Sequence, residues 1–365
     1  MRKKRVLAAM SGGVDSSVMA ALLQEQGYEV IGATMRLWEE GDDETAIKKT
    51  GRTCCALSDV NDAKRVADIL GIPHYTLNLK ERFRTDVVQN FIDEYAAGRT
   101  PNPCINCNFN LKFDALLEKA HMIECDYIAT GHYARIEQDG AIWRLRKAAN
   151  VKKDQSYVLY HLNQSILPQV LFPLGGIVSK DETRRLAAAY KLPVAKKKES
   201  QDICFIPDGD HKAFLLRQSA ELYRPGDIVY LDGRVIGRHD GIAFHTIGQR
   251  RGLGIAWPEP LFVVALDAVK NQVVVGPSEA VFSNWLTVEH VRFTGPSPLD
   301  GEAWTISAKI RYSHKEAAAV LTMTDATHAS IVFSQPQRAV TPGQAVVFYD
   351  GEYVVGGGII TGAGK

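Results

Sequence analysis

A short polar stretch near the N-terminus carries residue types that bind phosphate. The string SGGVDSS, residues 11–17, follows an apolar run at Val6–Met10 and precedes apolar residues at helical spacing. Glycines let the backbone approach an anion closely, and the N–H groups of a first helical turn point at it. Asp15 could hold a magnesium ion. The pattern predicts a phosphate-binding loop; the alternative is a strand–turn–helix whose glycines serve only the turn.

A second candidate site is the cysteine pair in TPNPCINCN, residues 100–108. Pro101 and Pro103 disfavour regular structure, which predicts that Cys104 and Cys107 are presented on a loop. A CxxC pair can be half of a tetrahedral zinc site, a redox dithiol or the position of one reactive thiolate. Zinc is disfavoured, because the chain has no second CxxC to complete the site.

A third candidate is Cys204, which follows a lysine run at residues 196–198 in the string KKKESQDICFIP. Nearby positive charge increases the thiolate fraction of a cysteine. The apolar neighbours Ile203 and Phe205 equally allow a buried, inert cysteine, and three lysines alone are typical of a solvated face. The remaining cysteines are assigned to packing: Cys54, Cys55 and Cys125.

Six motifs occur in order along essentially the whole chain, namely SGGVDSS, GRTPNPCINCN, DYIATGHYAR, KDQSYVLY, ESQDICFI and HTIGQRRGLGI. The first resembles the loop of the N-type ATP pyrophosphatases (PP-loop proteins). Together the six resemble the bacterial tRNA-specific 2-thiouridylases. The resemblance implies an α/β fold with a parallel-sheet ATP pyrophosphatase catalytic domain at 1–206, a small central α+β domain at 207–282 and a C-terminal β-barrel at 283–365.

The activity that this resemblance implies is sulfur transfer to carbon 2 of the wobble uridine in tRNAs for Lys, Glu and Gln. The uridine 2-oxygen is a poor leaving group, so ATP first adenylylates it and releases pyrophosphate; a sulfur nucleophile then displaces AMP. The implied cofactors are ATP and Mg²⁺. The implied partners are tRNA and a cysteine desulfurase or sulfur-relay protein, with no membrane and a cytoplasmic location.

The motif match also carries site residues onto this chain. Cys204 would carry a persulfide, and Cys107 would be its catalytic partner, either releasing the sulfur or leaving a disulfide with Cys204. The implied ATP-binding positions are Ala9, Met10, Ser11, Gly12, Gly13, Val14, Asp15, Ser16, Met35 and Gly131. The implied contacts to the target base are Asn102, Pro103 and Cys104. The implied tRNA contacts are His132, Lys153, Asp154, Gln155, Arg311, Tyr312 and Gln344.

One position departs from the family pattern, because many relatives carry Asp where this chain has Cys104. A thiol cannot simply replace that carboxylate as an acid–base group. It does create a second mechanism, in which Cys104, Cys107 and Cys204 hold a [4Fe–4S] cluster with one iron open for sulfur. Persulfide relay remains the leading mechanism.

Alternating strands and helices in the first half of the chain predict a parallel sheet covered by helices. The predicted strands are Val6–Met10, Glu29–Leu37, His74–Leu79 and Asp126–Gly131. The predicted helices are Asp59–Leu70 with Ser58 as its cap, Arg84–Ala97 and Ser179–Lys191. Residues 39–53 are polar and predict a mobile loop. Ligands of such sheets bind beyond the carboxyl ends of the strands, where residues 11–17, Met35 and Gly131 all fall.

From about Asp208 the sequence becomes rich in glycine and short apolar runs, which predicts a small domain of turns and strands. Six alternating stretches then predict the strands of a small closed barrel. They are Leu286–Phe293, Trp304–Tyr312, Ala317–Met323, Ala329–Phe333, Ala345–Tyr349 and Tyr353–Ile360.

Composition narrows the function classes. Lys and Arg number 43 against 42 Asp and Glu, so net charge alone makes no case for nucleic acid. No apolar run approaches the roughly 18 residues of a membrane-spanning helix, and the run after Arg2–Arg5 is too short for a signal peptide. Two rival functions are another ATP pyrophosphatase with a different substrate and a non-catalytic tRNA-binding or redox-sensing protein. The first would not need the three cysteines, and the second would not release AMP.

Overall fold

The computed structural model describes residues 2–38, 57–197, 203–298 and 300–365. The loop predicted at 39–53 and the cysteines Cys54 and Cys55 lie outside these ranges. Two compact units make up the chain. The first comprises residues 1–87, 104–209 and 352–354, and the second comprises residues 88–103, 210–351 and 355–365.

Helices are short, and two π-helical segments interrupt them. In chain order they are α1 (Val14–Glu25), α2 (Leu57–Leu70), α3 (Lys80–Phe83), α4 (Asn90–Ala96), α5 (Pro103–Asn106), α6 (Leu116–Met122), α7 (Lys180–Ala189) and α8 (His211–Gln218). The π-helical segments are Arg84–Gln89, between α3 and α4, and Cys107–Ala115, between α5 and α6.

The first unit is built around a parallel sheet, as the sequence predicts. The strands of this unit are β1 (Arg5–Ala9), β2 (Glu29–Arg36), β3 (His74–Asn78), β4 (Tyr127–Ala129), β5 (Ala134–Asp139), β6 (Ile142–Lys147) and β7 (Val170–Leu171). The sheet order is β3-β2-β1-β4-β7, with parallel pairing throughout. The strand order reverses between β1 and β4, and such a switch point opens a crevice for ligands.

Helices α1, α2 and α7 contribute to the core of this sheet. Val6 of β1, Val18 of α1 and Ala187 of α7 are fully buried in one apolar cluster. Strands β5 and β6 form an antiparallel hairpin that the sequence did not predict, and residues 352–354 extend it, with Tyr353 paired to Arg146. The hairpin escaped prediction because half of its residues are charged and most are only half-buried, which leaves no clear apolar alternation.

The second unit contains a small sheet and a barrel. The sheet strands are β8 (Gly226–Tyr230), β9 (Val235–His239), β10 (Phe262–Asp267) and β11 (Gln272–Gly276), in the order β10-β11-β8-β9. Val263, Val273 and Val275 are fully buried in its core. The turn-rich region predicted after Asp208 is therefore confirmed.

All six predicted barrel strands are confirmed, with some ends shifted. They are β12 (Phe282–Phe293), β13 (Ala303–Lys309), β14 (Ala317–Met323), β15 (Ala329–Arg338), β16 (Ala345–Asp350) and β17 (Tyr353–Gly364). Their order is β12-β15-β14-β13-β16-β17, and β17 pairs back onto β12. This closure removes the open sheet edges, and Leu321, Ile331 and Phe348 fill the interior.

Two local predictions are wrong. Cys104 and Cys107 do not lie on a loop, because the chain is helical without a break from Pro103 to Met122. Proline is tolerated in the first turn of a helix, where its missing N–H would have no intrahelical partner. Ser58 does not cap α2, because Leu57 before it is already helical.

None of the helices in the described ranges is long and apolar enough to cross a membrane.

Candidate active site

The loop predicted to bind phosphate, residues 11–17, lies between β1 and α1 and enters the first turn of α1, at the switch point of the sheet. Gly12 has a φ of +69°, and a Cβ added there would lie 2.2 Å from the carbonyl oxygen of Asp59. Gly13 occupies the cap position of α1 without a side-chain cap. The loop therefore depends on glycine at Gly12 for both its conformation and the close approach of α2. The first-turn N–H groups of α1 lack a capping side chain and can serve an anion.

Serine hydroxyls brace this loop from within. The Ser16 hydroxyl accepts a hydrogen bond from the Ser11 N–H at 3.1 Å, and Ser17 Oγ donates to the Gly13 carbonyl oxygen at 2.7 Å. Ser16 and Ser17 are buried, whereas Ser11 is exposed. The loop therefore has a defined shape before any ligand binds, with Ser11 on its accessible side.

The other predicted ATP positions come to the same edge of the sheet. A Cβ on Gly131, just beyond β4, would lie 3.0 Å from the Ser16 backbone nitrogen, so this segment packs on the first turn of α1. Met35 is half-buried near the end of β2, the strand next to β1. The remaining positions have buried side chains and can present only backbone atoms; they are Ala9, Met10 and Val14.

Asp15, in the first turn of α1, is the centre of a polar network. Lys180 Nζ donates to both of its carboxylate oxygens, at 2.6 and 2.7 Å. The Tyr133 hydroxyl donates to Asp15 Oδ1 at 2.8 Å and lies 2.8 Å from Thr183 Oγ1. Sequence reasoning missed Lys180, Tyr133 and Thr183. A weak signal existed for Tyr133, which stands inside the quoted GHYAR motif.

Lys197 also contacts the phosphate loop, so the predicted solvated face does not hold for this lysine. Its Nζ donates to the Gly12 carbonyl oxygen at 3.0 Å, to Asp59 at 2.5 Å and to Asp62 at 2.6 Å. Burial acts to lower the pKa of Lys197, but the two carboxylates outweigh burial and raise it. Its neighbour Lys196 is exposed, as predicted. Lys197 thus fastens the loop to α2.

The three candidate cysteines all belong to the first unit. Cys104 is exposed on α5, Cys107 is half-buried at the start of the π-helical segment, and Cys204 is half-buried in a turn. The residue after Cys204, Phe205, is buried with its ring centroid 5.7 Å from that of Phe83. This packing anchors the turn that carries Cys204.

Cys125 differs from these three cysteines. It is buried in the turn before β4, and burial raises the pKa of its thiol. A raised pKa keeps the thiol protonated and unreactive at neutral pH, in agreement with its assignment to packing. In the described ranges, no three His, Cys, Asp or Glu side chains are grouped so that they could hold a metal ion.

The predicted tRNA contacts at 153–155 are partly engaged in local structure. Asp154 accepts from the Ala148 N–H at 2.8 Å and from the Ser156 hydroxyl at 2.7 Å. Gln155 makes two 2.9 Å hydrogen bonds with the Tyr133 backbone: its Oε1 accepts from the Tyr133 N–H, and its own N–H donates to the Tyr133 carbonyl oxygen. The segment that includes the half-buried Lys153 is therefore linked to Tyr133, whose hydroxyl binds Asp15.

His132, another predicted tRNA contact, is buried. Its Nδ1 lies 2.7 Å from Thr130 Oγ1, and its ring lies 5.9 Å from that of Phe113. Burial lowers the pKa of His132 well below its ordinary value. The imidazole is therefore neutral at physiological pH, and any tRNA contact would be a hydrogen bond rather than a charge pair.

The remaining predicted contacts lie in the second unit. Gln344 donates to the carbonyl oxygens of Thr100, at 2.7 Å, and Pro101, at 3.2 Å, directly before Asn102 and Pro103 of the predicted base-contact segment. The side-chain amide of Gln344 thus contacts the backbone directly before that segment.

Arg311 and Tyr312 follow β13 in the barrel. Arg311 donates to the carbonyl oxygens of Ile247 and Ala339, both at 3.1 Å, which ties the HTIG segment to the barrel. Tyr312 is 43% exposed, with Lys309 Nζ 5.5 Å from its ring centroid. This pair presents an aromatic face and a cation together, a combination suited to nucleic acid.

Family comparisons cover almost the entire chain. Residues 4–208 match the tRNA methyl transferase HUP domain, residues 212–277 the tRNA methyl transferase PRC-barrel domain and residues 283–360 the aminomethyltransferase beta-barrel domain. The predicted order of a parallel-sheet domain, a small middle domain and a closed C-terminal barrel is confirmed. The boundaries 1–206, 207–282 and 283–365 stay a prediction.

Curated relatives extend this match over whole proteins. The tRNA-specific 2-thiouridylase MnmA of Magnetococcus marinus is 51% identical over 98% of this chain and 99% of its own. The enzyme of the same name from Acetivibrio thermocellus is 49% identical over 99% of this chain and 100% of its own. Identity at this level along the full length leaves no domain of either protein unmatched, and the chain belongs to the tRNA-specific 2-thiouridylase family.

Proposed function

We propose that this protein is an ATP-dependent sulfurtransferase that converts the wobble uridine to 2-thiouridine in tRNAs for Lys, Glu and Gln. The observation that carries the proposal is the 51% identity over 98% of the chain to a relative named for this reaction. The glycine loop at the switch point and the thiols of Cys107 and Cys204 supply the chemical groups that such a reaction needs.

ATP activates the uridine in the first step. The uridine 2-oxygen attacks the α-phosphorus, the bond to the β-phosphate oxygen breaks, and pyrophosphate leaves with that electron pair. The loop at residues 11–17 would bind the leaving pyrophosphate through backbone N–H groups, as helix N-termini bind anions. Met35 and Gly131, at the ends of the two strands that flank β1, would border the nucleoside.

Sulfur transfer follows from a persulfide on Cys204. Its terminal sulfur attacks carbon 2, the Cys107 thiolate attacks Cys204 Sγ, and the sulfur–sulfur bond breaks. The electron pair stays with the transferred sulfur and expels AMP, which leaves 2-thiouridine and a Cys107–Cys204 disulfide. In a variant of this scheme Cys107 first releases the sulfur as hydrosulfide. An external thiol reduces the disulfide in either case.

Magnesium fits the loop. Mg²⁺ is held in proteins by one or two carboxylates together with substrate phosphates, and Asp15 offers one carboxylate beside the loop. Bound there, the ion would neutralise phosphate charge.

A three-cysteine cluster does not fit the observed arrangement, because the described side chains include no group of three metal ligands.

Recognition of tRNA requires the target base to leave its stack, which costs less in an anticodon loop than in a duplex. Asn102, Pro103 and Cys104 would contact the base. The exposed ring of Tyr312 and the cation of Lys309 would contact an unpaired stretch of tRNA. We propose a cysteine desulfurase or a relay protein as the sulfur donor. We propose the cytoplasm as the location, because reduced thiols persist there.

The decisive experiment follows sulfur, AMP and iron together. Wild type and the variants Cys104→Ser, Cys107→Ser and Cys204→Ser are purified without oxygen and assayed with unmodified tRNA for Lys, ATP, a thiol reductant, and a cysteine desulfurase with cysteine as the persulfide donor. Iron and acid-labile sulfide are measured on the same samples. We expect thiolation without iron, tolerant of Cys104→Ser and lost with Cys107→Ser or Cys204→Ser.

Other outcomes separate the rivals. Activity that tracks iron and fails with any of the three substitutions would replace the persulfide relay with cluster chemistry. AMP release without thiolation would point to another adenylylated substrate. ATP binding without AMP release would identify a non-catalytic protein.

A further inference from the structure

The ion pair between Lys180 and Asp15 is partly buried and lies in the first turn of α1, directly after the glycines of the loop. The Lys180 side chain is 16% exposed and that of Asp15 31%, and both Asp15 oxygens accept from the same ammonium. Lys180 begins α7, which packs against α1, and Ser179 caps that helix by accepting from the Glu182 N–H. The lysine is thus held at the loop by a helix whose start is well defined.

We propose that Lys180 is a phosphate-binding residue of the ATP site, which rests on Asp15 in the empty enzyme and moves to the β- and γ-phosphates when ATP binds with magnesium. The inference rests on the proposed function, because ATP as the substrate is taken from there. It assigns to Lys180 a direct contact with the leaving pyrophosphate.

Charge balance favours the movement of Lys180 from Asp15 to phosphate. Asp15 stands in the first turn of α1, where its carboxylate alone would repel a polyphosphate in the loop. In the empty site the Lys180 ammonium neutralises that carboxylate. Once Asp15 shares its charge with magnesium, the ammonium lies beside a divalent cation and is repelled, while the phosphates attract it. Asp15 and Lys180 thus balance each other's charge in the empty site, and each binds the opposite charge of magnesium or phosphate in the occupied site.

Asp15 keeps a hydrogen-bond partner when Lys180 leaves. The Tyr133 hydroxyl donates to Asp15 Oδ1 at 2.8 Å, and Tyr133 is 2% exposed. Thr183 Oγ1 lies 2.8 Å from the same hydroxyl. This rigid contact orients the carboxylate independently of the lysine. Lys180, in contrast, has a flexible four-carbon chain that can swing between acceptors a few ångströms apart.

The test measures binding rather than turnover. Isothermal titration calorimetry follows α,β-methylene ATP, whose bridging carbon prevents cleavage, binding to the full chain with EDTA or with Mg²⁺. We expect Lys180→Met to weaken binding roughly ten- to a hundredfold with Mg²⁺, as a charge-assisted hydrogen bond to phosphate is lost. With EDTA a loss is also expected, but there it comes from Asp15, whose carboxylate repels the polyphosphate once its ammonium partner is removed. Lys180→Arg should retain most of the affinity. The matched control is Lys64→Met, which removes an exposed lysine of α2.

A double-substitution cycle separates phosphate binding from mere neutralisation of Asp15. In EDTA, Asp15→Asn should strengthen nucleotide binding, because it removes a repelling charge and releases Lys180. If Lys180 binds phosphate, the double variant with Asp15→Asn and Lys180→Met loses the gain in affinity that Asp15→Asn alone shows over wild type. If the lysine only neutralises Asp15, the double variant binds like Asp15→Asn, and the proposal is overturned.

Two further outcomes keep the inference apart from the proposed function. Failure of the wild-type chain to bind the nucleotide in either condition would remove the proposed ATP chemistry itself. If the wild type binds the nucleotide and Lys180→Met binds it with an affinity within twofold of wild type, only the role of Lys180 is overturned. Thermal unfolding of each unliganded variant is measured alongside, and Lys180→Arg retains the charge if Lys180→Met fails to fold.

Discussion

The phosphate-loop region and the C-terminal barrel are stabilised in different ways. In β14 of the barrel, buried and accessible positions alternate, and the buried ones, such as Leu321 and Met323, are apolar. Around the loop, Ser16 and Ser17 are buried and hydrogen-bonded, and two lysines bind carboxylates. Barrel stability is therefore spread over many interchangeable apolar contacts, whereas the loop depends on a few specific ones. Substitutions in the barrel should therefore change stability, and substitutions around the loop should change nucleotide binding and turnover.

The largest effect is expected for Gly12→Ala. A Cβ 2.2 Å from the Asp59 carbonyl oxygen, at a φ of +69°, forces the loop or α2 to move. A displacement of about 1 Å at a reacting group can cost a hundredfold in rate. We expect pyrophosphate release to fall at least about a hundredfold. The control is Gly27→Ala, which has a φ of +88° but no atom within 4 Å; it should leave turnover nearly unchanged. Equal activity of the two variants would contradict the claim that the clash with the Asp59 carbonyl oxygen causes the loss.

The barrel should respond in stability rather than in nucleotide binding. Leu321 is fully buried, so Leu321→Ala should lower the free energy of unfolding by about 2–5 kcal/mol, through lost apolar contact and a residual cavity. Urea unfolding measures this change. Val320 is 41% exposed on the same strand, and Val320→Ala should have a much smaller effect. A loss of ATP affinity with Leu321→Ala would contradict the separation of the two regions.

Lys197→Met should lower both the stability of the protein and its affinity for nucleotide, each by an intermediate amount. It removes the donor to the Gly12 carbonyl oxygen and leaves Asp59, which is 6% exposed, without that cation. We expect a stability loss of about 1–3 kcal/mol, as for an abandoned charged acceptor, and weaker nucleotide binding. Thermal unfolding and calorimetry measure the two effects. The exposed neighbour provides the control, Lys196→Met, and an identical result for both lysines would restore the solvated-face interpretation.

The smallest effect is expected for Ser179→Ala. The Ser179 hydroxyl accepts from the Glu182 N–H at 3.2 Å, and the loss of a helix cap costs about 1 kcal/mol. Thermal unfolding should show this loss, and Ser179→Asn should restore it because Asn also caps helices. Nucleotide affinity should fall only slightly, since Lys180 remains present. A fall as large as that of Lys180→Met would mean that the position of α7, rather than the lysine charge, determines binding.

Local patterns predicted most of the regular structure. The apolar run at Val6–Met10, the alternation in the barrel and the serine cap at Ser179 each depend on residues close in sequence, and each prediction is confirmed. The prediction of a loop at the cysteine segment is wrong, although Pro101 and Pro103 are residues that usually interrupt regular structure. Pro103 in fact begins a helix, a position where proline costs no hydrogen bond.

The sequence by itself determined the phosphate loop, the cysteine motif and the order of sheet and barrel, because turn chemistry and hydrophobic period are written in neighbouring residues. Only the tertiary structure decided what surrounds the loop. Lys180 lies 165 positions from Asp15 along the chain, and Lys197 lies 185 from Gly12. A lysine in an isolated stretch resembles any solvated lysine, and only the packing of α7 and the following turns against α1 and α2 gives these two their carboxylates.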